Sequence, residues 1–180
     1  MQDLEIVSLN TASSIIVLTP PDDSSGMATM KTILAITKNP NRRPEPYHIV
    51  TSINDPKIVA SSRLLAGDEL EIVLGNELIS RIAAQTSLQS GLSIVYTDLL
   101  DFAGDEIYFE TEARLAGKTY RDAVLSYDTS AVIGLLTQEG IPFLNPPPNT
   151  VLGKQDQVIA ISRDDDTIIL SSQTQPPIDE

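Results

Sequence analysis

The sequence predicts an α/β protein in which a parallel sheet is followed by a smaller, β-rich unit, and three observations carry that expectation. Short runs of Ile, Val and Leu at 14–19 (SIIVLT), 48–53 (HIVTSI) and 70–74 (LEIVL) alternate with segments of helical periodicity, the order that builds parallel sheets covered by helices. The character changes near Gly104, beyond which strand-like runs succeed one another with turns and one short helix between them. No G-x-G-x-x-G phosphate loop stands anywhere in the chain, whose nine glycines are scattered.

A dinucleotide-binding unit carries that loop after its first strand, where the glycines let the backbone approach a pyrophosphate. Its absence makes the first part look like the C-terminal half of a Rossmann-like parallel sheet, over residues 1–103. A small β-rich α+β subdomain is expected over 104–171 and a flexible tail over 172–180.

The individual elements follow from local signals. The turn at 20–25 (PPDDSS) offers Ser24 or Ser25 as helix cap, and Met27, Met30, Ile33 and Leu34 then recur at helical spacing. Residues 39–47 (NPNRRPEPY) hold three of the twelve prolines and form a loop. Asp55 as N-cap, Pro56 at the first helical position and Gly67 after the last apolar residue delimit a second helix. Asn76 is read as the cap of a third, with Leu78, Ile79, Ile82 and Ala83 on one face, and 92–100 reads as a fourth. Beyond Gly104, residues 105–110 alternate as a half-buried strand, Gly117-Lys118-Thr119 leads into a short helix, and 131–137 and 157–162 are strands. Residues 140–149 are read as a proline-rich turn and 168–170 as one more strand.

Composition limits the chemistry. The 180 residues, 41% of them hydrophobic, suffice for a real core. A net charge of -13 argues against nucleic acid, which demands clustered Lys and Arg. Without cysteine there is no disulfide, thiolate nucleophile or Cys-ligated zinc. No apolar run approaches the ~20 residues of a membrane helix, so this stretch is expected to be soluble itself.

The single histidine, His48, stands at the start of a strand after the proline loop. A solvated position suits it better than a catalytic one, since a nucleophile needs its base within reach. A metal site would have to be rich in carboxylates, which favours calcium or magnesium. Asp22 and Asp23 follow the first strand at its carboxyl end, where open α/β sheets bind ligands. They also suit a polar turn before a helix N-terminus. Asp164, Asp165 and Asp166 resemble part of a calcium loop, but Ile169 and Gln175 stand where an EF-hand needs Gly and Glu. The run Asp98, Asp101, Asp105, Glu106, Glu110 and Glu112 reads as an acidic face or a solvated surface. Arg42 and Arg43, held out by their flanking prolines, are candidates for a phosphate or an acidic neighbouring subunit.

Several stretches together resemble a known family. Residues 12–18 (ASSIIVL), with 31–35 (KTILA), look like the fourth strand and helix of the regulator-of-potassium-conductance module of Castor/Pollux ion channels. Ile53-Asn54-Asp55 looks like the end of its fifth strand. Residues 75–81 (GNELISR), with Ala84-Gln85, are similar to the helix after its last strand. Glu106-Ile107-Tyr108, 117–120 (GKTY), 131–134 (AVIG), Asn145-Pro146-Pro147 and 156–159 (DQVI) follow the order of the TrkA C-terminal-like subdomain. The likeness runs from about residue 9 to about residue 163; the pore helices, first three strands and glycine-rich loop of the family are not in this sequence.

The resemblance implies a cytosolic regulatory or gating domain of a cation channel, for potassium or calcium. Such a domain senses an ion or small ligand and couples it to a membrane pore domain through subunit packing. It further implies a homo-oligomer, a dimer or larger, at the cytoplasmic side of a membrane, paired through helices near Leu78, Ile79 and Ile82, although such an apolar face is more often core than interface. The rival readings are a stand-alone oligomeric ligand-binding or interaction protein without a pore and, further off, an NAD-dependent oxidoreductase.

Overall fold

The computed structural model describes residues 6–20, 23 and 26–171. The expected tail at 172–180, the caps Ser24 and Ser25, and Asp22 lie outside the described residues. Two compact units divide the chain, Met1–Ser90 and Gly91–Glu180. This division falls ahead of the 103/104 border expected from composition, so the helix at 92–99 groups with the second unit.

In the first unit, β1 (Ile15–Val17), β2 (Ile49–Ser52) and β3 (Leu70–Val73) form a parallel sheet in sequential order. The register aligns Ile15, Ile49 and Leu70, then Ile16, Val50 and Glu71, then Val17, Thr51 and Ile72. Because side chains alternate across a strand, the first and third sets share one face. Against them pack Ile33 and Ile36 of α1 (Met27–Thr37) and Ile58 and Val59 of α2 (Pro56–Ala66), which makes the core. Buried Thr51 keeps its hydroxyl satisfied by donating to the Val17 carbonyl at 2.7 Å. Asp55 caps α2 by accepting from the Lys57 N–H, and Gly67, at φ 59°, ends it.

The starts of two helices bear on the expected caps, and Asn76 does not serve as one. The N-cap position of α1 is Gly26, at φ 68°, with no side-chain cap bond of its own. α3 (Gly75–Leu88) begins before Asn76, whose backbone N–H donates to Asn54 Oδ1 at 2.9 Å. The capping oxygen thus comes from the loop after β2. Nor does the apolar stripe of α3 form core, since Leu78 is 46% and Ile79 65% exposed.

The second unit opens with α4 (Leu92–Leu99) and builds an antiparallel sheet in the order β4-β7-β5-β6 from β4 (Glu106–Glu110), β5 (Ala131–Leu136), β6 (Pro142–Leu144) and β7 (Gln157–Ser162). One face carries Tyr108, Val132, Leu135, Val158 and Ala160 against Leu115, Tyr120, Ala123, Tyr127, Leu152 and Ile168. A short helix, α5 (Tyr120–Val124), is started by a reciprocal Thr119–Asp122 capping box. β5 bulges between Val132 and Gly134, where a Cβ would stand 2.7 Å from the Phe143 carbonyl oxygen. Glycine is required there to let β6 approach. β6 corrects the reading of 140–149 as turn alone, and 168–170 contributes a single bridge, Tyr127 to Leu170, instead of a strand. Among the described residues no helix is long and apolar enough to cross a membrane.

Candidate functional site

All three parallel strands end on the same side of the sheet, and their following loops surround a cleft of about 320 Å³ lined by Thr19, Pro20, Asp23, Ser52, Asn54, Asp55 and Asn76, among others. This is the carboxyl edge at which open α/β sheets place ligands.

Its wall is set by a chain of short polar contacts. The Thr19 hydroxyl donates to the Ser52 carbonyl at 2.6 Å, tying the end of β1 to that of β2. Buried Thr29, in the first turn of α1, donates from its N–H to Asp23 Oδ2 at 3.0 Å and from its hydroxyl to the same oxygen at 3.2 Å. Asp23 therefore does the capping that Gly26 lacks. Asp55 Oδ1 and Asn54 Oδ1 serve α2 and α3 in the same way. Gly75 leaves the floor open, for a Cβ there would lie 3.2 Å from Ser52 Oγ and 3.7 Å from Asn54 Oδ1.

The result is a pocket of two carboxylates with amide and hydroxyl oxygens around them. Hard cations take such donors, as do the hydroxyls of a polyol. His48 precedes β2 and so stands at the opposite edge of the sheet, exposed, with Nε2 3.2 Å from Glu71 Oε1.

Of the acidic candidates, the structure brings Asp23 into the cleft, while Asp164, Asp165 and Asp166 gather in the second unit. One ligand oxygen from each of those three lies within 4.8 Å of the others, all exposed. Their turn is also self-supporting. Asp164 accepts from the Asp165 N–H at 2.9 Å, and the Thr167 hydroxyl joins Ser162 at 2.7 Å and the Asp164 carbonyl at 2.6 Å. Asp55 and Asn54 were missed as cleft residues by sequence reasoning, which used Asp55 as a cap and the pair as part of the likeness to a strand end. The signal available was their position at a strand's carboxyl end.

Arg42 and Arg43 are not held out in solution. Arg42 donates to Glu69 Oε1 at 2.7 Å and to the Thr37 carbonyl at 2.9 Å, which raises its already high pKa, with the Glu69 hydrogen bond the leading cause. Arg43 donates to the Ala12 carbonyl at 2.9 Å. Both guanidiniums lie 4.8 Å from the centre of the Tyr47 ring, whose hydroxyl reaches Asn10 Oδ1. The pair is an internal clamp that fastens the proline loop to the segment before β1. The acidic run is likewise engaged in part. Glu112 forms a bidentate pair with Arg114 at 2.9 and 2.8 Å, which lowers its pKa. Glu106 accepts from the Tyr108 hydroxyl at 3.0 Å. Desolvation first, and then that bond, push the Tyr108 phenol up to about 12.

The same fold, a half-sheet of parallel strands followed by a small antiparallel sheet, is found in the human SLO3 gating ring. That structure matches 93% of this chain and 35% of its own with a TM-score of 0.67 and 16% identity. The sequence is more specific. Residues 76–179 match the family described as Castor and Pollux, part of voltage-gated ion channel. The ion channel CASTOR of Lotus japonicus is 31% identical over 173 residues, 93% of this chain and 20% of that protein. The probable ion channel POLLUX of Oryza sativa subsp. japonica is 29% identical over 181 residues, 97% of this chain and 18% of the relative. The chain belongs to the Castor/Pollux family. It spans about a fifth of the length of the curated relatives it matches.

Proposed function

We propose that this chain is a cytosolic regulatory module of a Castor/Pollux-type cation channel, sensing an ion or small ligand and coupling it through subunit packing to a pore that other parts of the polypeptide form. Family membership carries the reading, and the cleft at the carboxyl edge of β1–β3 supplies its sensor. A divalent cation, calcium or magnesium, is the ligand class its oxygens suit, held by Asp23 and Asp55 with Asn54 and with Asp22 beside them in sequence. Asp164, Asp165 and Asp166 are the second candidate group.

Occupancy biases a gate only by the difference in affinity between two arrangements of the subunits. The cleft is suited to that task. Its walls are the starts of α1, α2 and α3, so drawing its oxygens together moves helices rather than one isolated side chain. The exposed apolar residues Leu78 and Ile79 of α3 provide a surface for packing between subunits in a homo-oligomer.

Calorimetric titration with calcium and with magnesium tests the sensor. Binding that Asp23→Asn and Asp55→Asn together weaken at least about 10-fold, a loss of ~1.4 kcal/mol, is the expected outcome. Binding unchanged by that pair but lost in Asp164→Asn with Asp165→Asn would move the sensor to the second unit. Absence of binding by either ion would remove the ion-sensing part of the reading.

A further inference from the structure

The starts of three helices converge on the carboxyl-edge cleft, and they are not held alike. α1 buries Thr29, Ile33, Ile36 and Thr37. α2 buries Ser62 and packs Ile58 and Val59 against the core. No residue of α3 is buried, and α3 has no side-chain cap bond of its own. What ties its first turn to the sheet is local to the cleft. The Asn76 N–H donates to Asn54 Oδ1 at 2.9 Å, and Gly75 stands so close to the end of β2 that a Cβ would lie 3.2 Å from Ser52 Oγ. Ser52, Asn54 and Asn76 all line the cleft itself.

The three capping side chains differ in what they can offer a ligand. Asp23 Oδ2 serves Thr29 and Asp55 Oδ1 serves Lys57, and a carboxylate that caps with one oxygen has a second for a cation. Asn54 is an amide with a single acceptor oxygen, and that oxygen is the cap of α3. A hard cation bound to it draws off the electron density that the Asn76 N–H needs. We propose that Asn54 is the positioning residue through which the cleft controls α3: a divalent cation that takes Asn54 Oδ1 displaces the Asn76 N–H and frees the first turn of the helix. The inference rests on the reading of the cleft as an ion sensor and names the bond that occupancy breaks. α1 and α2 keep their places because buried side chains hold them, whereas α3 has nothing buried to hold its start. The effect reaches Leu78 and Ile79, 46% and 65% exposed, which lie within one turn of Asn76.

Hydrogen exchange on the full-length protein, resolved residue by residue with and without saturating calcium or magnesium, tests the competition. The Asn76 amide should exchange at least about 5-fold faster with the ion bound, which corresponds to the loss of one neutral hydrogen bond. The amides of Thr29 and Lys57 should stay as protected as before. Asn54→Asp supplies a second oxygen, so it should bind the ion at least as tightly in calorimetry and yet leave Asn76 protected when the ion is bound. Asn54→Ala should expose Asn76 whether or not the ion is present. A merely structural cap predicts no dependence on the ion in the wild type, so the two roles are told apart. Ion binding that Asp23→Asn with Asp55→Asn weaken, but with Asn76 exchange unchanged or slowed, overturns the proposal and leaves the sensor standing. Acceleration in Asn54→Asp equal to that of the wild type also overturns it. No binding of either ion overturns both.

Discussion

Arg42 and Arg43 show how a residue's partners decide its role. Adjacent arginines between prolines look available, but each guanidinium covers one ring, that of Tyr47, and spends its donors on Glu69 or on backbone carbonyls. Arg42→Ala removes a charge-assisted bond from a carboxylate whose side chain is only 19% exposed. The expected cost is about 2 kcal/mol, measured by urea denaturation, with no change in divalent-ion binding. Tyr127 presents the opposite case. Its phenol is buried without a hydrogen-bond partner among the described residues, and desolvation pushes its pKa up to about 12. Tyr127→Phe should therefore leave stability unchanged or raise it by about 1 kcal/mol, and a loss of that size would mean that the hydroxyl has a partner. Asp23 was legible as a carboxylate at a strand's end. Its bond to Thr29 was not, because nothing in the sequence says which turn of the helix the loop will fold back upon.

At the scale of elements, the parallel strands and the helices between them could be read because both periodicities were clean and Asp55, Pro56 and Gly67 mark their boundaries. β6 could not. Its first residue is Pro142 and it stands in a proline-rich stretch, yet an edge strand tolerates proline because it needs fewer of its N–H groups paired. The partner of that strand is fixed by Gly134, where the missing side chain makes room for the Phe143 carbonyl. Gly134→Ala is expected to cost about 2 kcal/mol or more, through forced separation of β5 and β6, seen as a lowered melting temperature of the second unit. The cleft escaped full recognition for a related reason. It is assembled from loop ends widely separated in sequence, and the stretch from Gly75 was read for its likeness to a helix of the family and not for its place beside Ser52 and Asn54.

At the scale of the whole molecule, the acidic composition sets the pH response. Glu112, beside Arg114, and Asp122, bonded to the backbone N–H and hydroxyl of Thr119, both have lowered pKa values in the fold. Depressed carboxylates stabilise above their unfolded pKa, near 4, and lose that contribution as pH falls through the folded value. Stability of the second unit should thus decline below about pH 4. Glu112→Gln together with Asp122→Asn should flatten the decline, as followed by thermal melts across pH 2–6. The composition, the two-part fold and the likeness to Castor/Pollux channels were all visible in the sequence, because apolar patterning and ordered short motifs survive where single sites do not.

The most direct test of the proposed sensor is a planar-bilayer recording of the full-length protein, with calcium or magnesium varied on each side in turn. Open probability that rises with the ion, and whose midpoint shifts at least about 10-fold in Asp23→Asn with Asp55→Asn, is the result the account predicts. A response identical in wild type and variant, or currents indifferent to both ions, would contradict it.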